Sequence, residues 1–155
     1  MHLVKESEYA LVSLRYLASQ PQGAIVPLVQ IARANGLPPA FLAKTLRKLV
    51  ACGLLASHRG RRRGYRLARE PQRITVREIL EGIEGPDLFA RCAFWDNGCS
   101  DRAPCPLHSL WASLRPWIAA RMADTTLAAL SSPAAFERRF ECQSVDHQQK
   151  EGGGR

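Results

Sequence analysis

Two short helices joined by a tight turn occupy residues 28–52, and this unit limits most strongly what the chain can fold into. Apolar residues at helical spacing predict one helix over 28–34 and a second from Pro39 to about Cys52. Gly36 lies between them, where a helix C-cap favours glycine. On the second helix, the predicted buried residues are Phe41, Leu42, Leu46, Leu49 and Val50, and the predicted exposed ones are Ala40, Ala43, Lys44, Arg47 and Lys48. A small and basic exposed face is typical of a helix-turn-helix, whose second helix enters the major groove.

An arginine-rich hairpin is predicted directly after this unit. Leu54–His58 and Tyr65–Ala68 have the pattern of short strands, and six arginines lie between Arg59 and Arg69. Such a density of like charge would repel itself in isolation, whereas it suits a wing laid along a phosphate backbone. The sequence therefore predicts a winged-helix module that binds double-stranded DNA. The predicted DNA contacts are Ala40, Lys44, Arg47, Lys48, Arg59, Arg61, Arg62 and Arg63.

The charge distribution agrees with a polyanionic partner for the first half of the chain. The net charge is +8; residues 1–73 carry 13 basic and 3 acidic side chains, and residues 74–155 carry 9 basic and 11 acidic ones. The whole excess of positive charge therefore belongs to the predicted DNA-binding half. No apolar run is long enough to span a membrane, and no signal peptide is evident. An odd number of cysteines without an export signal favours a reducing cytoplasm.

The rest of the chain predicts helices around a loop. A helix over 7–20 with Ser7 as N-cap precedes the helix-turn-helix, and Thr75 begins another through Glu84 with a capping box. A long helix from Leu110 to about Leu127 carries one apolar stripe, and Pro116 should kink or split it. We interpret this as a dimerisation helix. The predicted fold is mainly α with a small β-hairpin wing: a winged helix-turn-helix over 1–73, a linker helix, loop and dimerisation helix over 74–130, and a flexible tail over 131–155.

Three cysteines and a histidine lie in the loop over 92–108. Cys92, Cys99 and Cys105 are separated by turn-forming residues, and His108 follows the last cysteine after two residues. A packed core gains nothing from thiols in such a loop, whereas a soft metal centre needs soft ligands on a pliable backbone. Iron–sulfur ligation, structural zinc and a disulfide switch all use these side chains. Zinc sites usually have two-residue cysteine spacings, which are absent here. Cys52, beside apolar neighbours, is predicted to be a buried small hydrophobe.

A family resemblance emerges from the order of these features. It rests on Tyr9-Ala10-Leu11, Ile31-Ala32, Phe41-Leu42, Leu46, Leu49, Gly53-Leu54, Ser57, Arg59-Gly60, Gly64-Tyr65 and Leu67, followed by the three cysteines. From Met1 to about Leu130 the chain resembles the dimeric winged-helix regulators of the Rrf-two family (IscR/NsrR-type). The resemblance implies that the third helix and wing bind DNA, that a long C-terminal helix forms a homodimer, and that Cys92, Cys99 and Cys105 hold an iron–sulfur cluster.

The resemblance leaves two candidates for the fourth ligand. IscR-like members use a histidine three residues after the last cysteine, which His108 matches; NsrR-like members use a carboxylate from the other protomer, which Glu8 of the partner subunit matches. His108 is favoured because it is local, and with three thiolates it suits a 2Fe–2S cluster, whereas a carboxylate suits 4Fe–4S. Two departures from the family pattern are Arg63-Gly64 in place of paired glycines, and Ala43 where some members have an acidic base-reading residue.

The predicted function is a cytoplasmic, homodimeric transcriptional regulator, with a repressor favoured, whose operator binding depends on the cluster. The signal would be iron or cluster status, redox state or nitric oxide. Alternatives are a winged-helix regulator with structural zinc or a thiol switch at the same cysteines and, more remotely, an iron–sulfur electron-transfer protein, for which the arginine wing has no use. The sequence contains no nucleophile–base pair or phosphate-binding loop that would predict an enzyme.

Overall fold

The computed structural model describes residues 3–92, 94, 102 and 104–132. Its helices are α1 (Lys5–Ala18), α2 (Leu28–Asn35), α3 (Pro39–Ala51), α4 (Val76–Glu84), α5 (His108–Asp124) and α6 (Leu127–Ser131), with a 3₁₀ turn at Pro71–Arg73. Strands β1 (Leu55–His58) and β2 (Gly64–Leu67) form one antiparallel hairpin. The predicted fold class, mainly helical with a hairpin wing, is confirmed.

Helices α1 to α4 and α6, together with the start of the hairpin, enclose the main core. Gly36 ends α2 in the left-handed conformation with φ 62°, as the turn pattern predicted. Pro39 occupies the first turn of α3, where its missing N–H costs no hydrogen bond. The fully buried residues of the core include Leu14, Ile31, Leu42, Leu46, Leu49, Leu54, Ile74, Ile79 and Leu127. Apart from Leu54 and Ile74, which lie in connecting segments, these side chains come from α1, α2, α3, α4 and α6. The helix-turn-helix is therefore fixed against helices from both ends of the described chain.

The hairpin is joined to the loop before α2 by backbone hydrogen bonds. The N–H of Val26 donates to the Tyr65 carbonyl and the N–H of Tyr65 donates to the Val26 carbonyl, both at 2.9 Å. A Cβ on Gly64 would lie 2.5 Å from the Val26 carbonyl oxygen. Glycine is therefore required at position 64 by this close backbone approach, which accounts for the single glycine that precedes Tyr65.

The start of α1 differs from the prediction. The helix begins at Lys5, two residues before the expected N-cap Ser7, and its N-cap residue Val4 provides no side-chain cap. A carboxylate from another helix supplies it: Glu84 Oε1 accepts from the Val4 N–H at 2.8 Å and from the Ser7 hydroxyl at 2.6 Å. Ser7 is fully buried in the first turn, so its hydroxyl needs this partner.

The capping box of α4 is confirmed. Thr75 accepts from the Glu78 N–H at 3.2 Å, and the Glu78 carboxylate accepts from the Thr75 N–H at 2.8 Å. A further hydrogen bond reaches Glu78 from Arg69 Nη2 at 3.0 Å. Partial burial raises the pKa of Glu78, but the bonds from Thr75 and Arg69 outweigh it and leave the pKa below its ordinary value.

The single apolar stripe expected on α5 was wrong, and of the kink or split expected at Pro116 the split is absent. The helix runs from His108 to Asp124 through Pro116 without being split. Its apolar residues form two faces rather than one stripe: Trp111 and Ala119 are buried, whereas Leu110, Leu114 and Trp117 are 50%, 41% and 64% exposed. The buried face packs on α4 and the segment after it, where Val76, Leu80, Leu88 and Phe89 form a second core. The exposed face follows the i, i+4, i+7 spacing of one side of a helix.

Cys52 was predicted to be buried, but it is exposed at the end of α3. Its thiol donates to the Gly82 carbonyl at 3.3 Å, because α3 ends where it crosses α4. The irregular tail was predicted to begin at Ser131, but Ser131 is the last residue of α6. The part of the predicted tail from residue 133 onward lies outside the described residues. None of the helices described here is long and apolar enough to cross a membrane.

Candidate nucleic-acid interface and cysteine loop

The recognition helix α3 exposes a basic face. Ala40, Lys44 and Arg47 are exposed as predicted, and the Arg47 Nε donates to the Ala43 carbonyl at 3.2 Å. Lys48 is half-buried, and its Nζ lies 2.6 Å from Glu6 Oε2 on α1. Three of the four predicted contacts on α3 therefore face solvent, while Lys48 is held by an intramolecular ion pair.

Phe41 was predicted to be buried, but its side chain is 66% exposed. The core places on α3 are filled by Leu42, Leu46 and Leu49, which follow the i, i+4, i+7 spacing and are fully buried. Position 41 precedes this row by one residue, a rotation of about 100° around the helix axis. The apolar character of Phe41 suggested burial, but its angular position on α3 directs its side chain toward solvent.

The wing presents its arginines to solvent. Arg59, Arg61, Arg62 and Arg63 are all exposed, and no ion pair within residues 3–92 or the later described segments involves them. Arg66 is held differently, because its Nε donates to His58 Nε2 at 2.9 Å across the hairpin. The four predicted wing contacts thus form an exposed cationic turn next to the basic face of α3.

The two ends of the cysteine loop meet at the start of α5. The indole Nε1 of Trp111 donates to the carbonyl of Arg91 at 2.9 Å, and Arg115 donates to the carbonyl of Ala90 at 3.1 Å. Phe94 packs edge-on against Trp111 with ring centroids 6.2 Å apart. Cys92, which follows Arg91 directly, is thereby held against the first turns of the helix that Cys105 precedes.

His108 is the first residue of α5, and its N–H donates to the Cys105 carbonyl at 2.9 Å. Cys92, Cys105 and His108 are all half-buried, and Cys99 lies outside the described residues. In the part of the chain that the structure describes, no three histidine, cysteine or carboxylate side chains converge as a metal site would require. The thiols of Cys92 and Cys105 and the imidazole of His108 are donors of the chemical kind that a soft metal centre takes.

The segment that leads into the loop is fixed to α4. Arg91 Nη2 donates to the Glu84 carbonyl at 2.7 Å and to Asp87 Oδ1 at 2.7 Å. The hydrogen bond from Arg91 lowers the pKa of Asp87 and raises the pKa of Arg91. Glu84 therefore contacts both the segment that leads into the loop, through its backbone carbonyl, and the start of α1, through its carboxylate. Sequence reasoning missed this role, since nothing local to Glu84 indicates it.

Glu8, the other candidate ligand, lies on the first turn of α1. Its carboxylate is 2.6 Å from Lys5 Nζ, and its side chain is 49% exposed. The hydrogen bond that Lys5 donates to the Glu8 carboxylate raises the pKa of Lys5. An exposed carboxylate on this turn is accessible to a second protomer, whereas His108 is local to the loop.

Comparison with known proteins settles the family. The model of the Rrf2 (Rrf-two) family, described as an iron-dependent transcriptional regulator, matches residues 3–133. The chain belongs to the Rrf2 family. The regulator IscR of Vibrio atlanticus is 30% identical over 146 residues, which cover 94% of this chain and 84% of that protein. As an Rrf2-family protein the chain is a DNA-binding transcriptional regulator and not an enzyme, as predicted.

Two solved structures share the Rrf2 architecture with this chain. CymR, the global cysteine regulator of B. subtilis, matches with a TM-score of 0.71 and 27% identity, covering 84% of this chain and 96% of that one. T. potens IscR matches with a TM-score of 0.64 and 25% identity, covering 95% of this chain and 94% of that one. The chain is thus similar both to IscR regulators and to a regulator named for cysteine.

Proposed function

We propose that this Rrf2-family chain is a homodimeric regulator, a repressor in its default mode, whose operator binding depends on an iron–sulfur cluster. Cys92, Cys99, Cys105 and His108 would hold the cluster, with Glu8 of the partner subunit as the alternative fourth ligand. Residues 1–73 would bind DNA and residues 74–130 would carry the cluster loop and the dimer helix. Such a regulator would act in the cytoplasm. The observation that carries the proposal is the closed base of the cysteine loop, formed by the 2.9 Å bond from Trp111 to Arg91.

A cluster of 2Fe–2S type, favoured by three thiolates and an imidazole, would supply a centre that responds to iron supply, oxidants or nitric oxide. The remaining steps belong to the protein. Ligation would order residues 92–108, and the hydrogen bonds of Arg91 would carry that order to α4. Glu84 would then fix the start of α1. Coupling between two such sites usually changes affinity by about 5- to 150-fold.

The cluster is tested by anaerobic reconstitution with iron and sulfide. We expect coloured protein with thiolate-to-iron absorption and stoichiometric iron and sulfide. Cys92→Ser and Cys105→Ser should lose both the absorption and the bound iron and sulfide. Cys52→Ser is the matched control, because Cys52 is exposed outside the loop and should not alter loading. Colourless wild-type protein after reconstitution would refute the cluster. His108→Ala beside Glu8→Ala, compared by Mössbauer spectroscopy, distinguishes the two fourth ligands.

DNA contact by the wing is tested through salt dependence. Each arginine that neutralises a phosphate contributes about 0.9 to the slope of log affinity against log salt. Arg62→Ala should therefore weaken binding to all duplexes and reduce this slope by about one. Arg77→Ala, which removes an arginine of α4 that is paired with Glu81 and lies outside the wing, is the matched control and should leave the slope unchanged.

Homodimerisation is supported by the exposed apolar face of α5. Leu110, Leu114 and Trp117 lie on one side of the helix and are 41–64% exposed in the single protomer. A second copy of the same face would cover them, and a two-fold dimer suits paired half-sites. Trp117→Glu should shift the protein from dimer to monomer in sedimentation experiments. A variant that stays dimeric at micromolar concentration contradicts this interface.

A second candidate keeps DNA binding but uses the cysteines as thiols or as ligands of structural zinc. It is favoured by the similarity to CymR, a cysteine regulator by name. Metal analysis of anaerobically purified protein separates the cases: iron with sulfide supports a cluster, one zinc per chain supports the structural site, and metal-free protein with oxidant-sensitive DNA binding supports the thiol switch.

A further inference from the structure

The most exposed aromatic side chain of the helix-turn-helix is that of Phe41, which is 66% exposed on α3. The residue shares a helix face with Lys44, three positions later, and lies beside Ala40. Within the described chain it has no aromatic or cationic ring contact. About two thirds of the Phe41 surface is uncovered in the protomer, so apolar surface is available to a ligand of the recognition helix.

The surrounding surface contains no side chain that could read a base by hydrogen bonding until Lys44. Pro38 and Pro39 begin the helix, and the next exposed or half-buried side chains are those of Ala40, Phe41 and Ala43. The hydroxyl of Thr45 is turned inward, where it donates to the Phe41 carbonyl at 3.2 Å. The first turn and a half of α3 can therefore contact bases only through apolar surface.

The charge of the helix indicates which ligand this apolar surface meets. α3 contains three basic residues and no acidic one, and the exposed arginines of the wing lie on the following hairpin. Polyanionic DNA matches this surface, and the C5 methyl of thymine is the one apolar group that a base pair presents in the major groove. An apolar protein partner would gain nothing from the cationic surroundings.

We propose that Phe41 is a specificity-determining residue that packs against a thymine methyl in each operator half-site. The inference rests on the proposed DNA-binding function and adds to it the chemistry that is read at this position. Ala43 and Ala40 leave room for the ring to approach the base edges. Operators of this protein therefore favour a thymine opposite the start of α3.

The test uses duplexes selected by the wild-type protein from a random pool, with each thymine replaced in turn by deoxyuridine, which lacks only the methyl group. We expect one thymine per half-site at which the replacement weakens wild-type binding about fourfold, from the free energy of burying one methyl-sized group. Phe41→Ala should bind the thymine and deoxyuridine duplexes equally. Phe41→Leu, which keeps apolar surface, should retain part of the difference.

Val29→Ala is the matched control, because Val29 is 67% exposed on α2 rather than on α3. It should preserve the preference for thymine. The proposal is overturned if deoxyuridine has no effect at any position while DNA is bound, or if Phe41→Ala still discriminates. A lowered unfolding temperature of Phe41→Ala also overturns it, since Phe41 would then be a structural residue. Failure to select any duplex overturns the DNA-binding function itself and this inference with it, so the two failures are distinguishable.

Discussion

Replacing Glu84 with alanine should destabilise the protein more than the same substitution at any other carboxylate of α4. The substitution removes the carboxylate that accepts from the Val4 N–H and from the Ser7 hydroxyl at the start of α1. The buried hydroxyl of Ser7 loses its charged partner, which costs about 1.5–3 kcal/mol, and the Val4 N–H loses its cap, which costs about 0.5–1 kcal/mol because water can reach it. The expected loss in the free energy of unfolding is therefore about 2–4 kcal/mol.

The measurement is guanidinium unfolding followed by far-ultraviolet circular dichroism at one fixed protein concentration, because dimerisation would otherwise shift the midpoint. Glu84→Gln keeps an acceptor oxygen and should lose only about 1 kcal/mol. Glu81→Ala is the matched control on the same helix: it breaks only the pair with Arg77, which spans one turn and should cost about 0.5 kcal/mol or less. If Glu84→Ala is no more destabilising than Glu81→Ala, the capping of α1 from α4 does not contribute as described.

Three further outcomes are expected. The pKa of Glu78 is lowered in the folded state. The stabilisation by its ionised carboxylate is therefore complete above the unfolded-state pKa and is lost as pH falls through the folded-state pKa. In unfolding experiments between about pH 6 and pH 3, Glu78→Gln should make stability depend less steeply on pH. Gly64→Ala places a Cβ 2.5 Å from the Val26 carbonyl oxygen and should lower the free energy of unfolding by about 1–3 kcal/mol. DNA binding in anisotropy titrations should also weaken. An unchanged unfolding midpoint would contradict the close approach. Glu6→Gln releases Lys48 from its 2.6 Å ion pair and should raise the salt slope of DNA binding by about one, an increase that the double variant with Lys48→Ala should abolish.

Local patterns predicted the elements of the DNA-binding half well. Three features each involve only a few consecutive residues, so they can be recognised from the sequence: Gly36, the capping box at Thr75 and the arginine turn. The composition of the cysteine loop likewise indicates soft-ligand chemistry without coordinates. Its closure could not be predicted, because the indole of Trp111 and the carbonyl of Arg91 are 20 residues apart.

The errors occurred where one residue type has several stable environments. Phe41 and Cys52 were predicted to be buried, yet the Phe41 side chain is 66% exposed and Cys52 is exposed as well. Hydropathy gives the preference of a side chain for burial. The direction in which the side chain points depends on which residues of its helix face the core. Leu42, Leu46 and Leu49 fill the core side of α3, and Trp111 and Ala119 fill that of α5, so the remaining apolar residues face outward.

The sequence by itself determined the helix-turn-helix, the cationic wing and the presence of three loop cysteines with a histidine, because spacing, turn chemistry and charge are local properties of the chain. Only the tertiary structure decided that Glu84 caps α1, that Lys48 is paired with Glu6 and that Phe41 stands on the outer face of the recognition helix. Those relations join residues up to 80 positions apart, and they exist only once packing has fixed the angle and register of each helix against its neighbours.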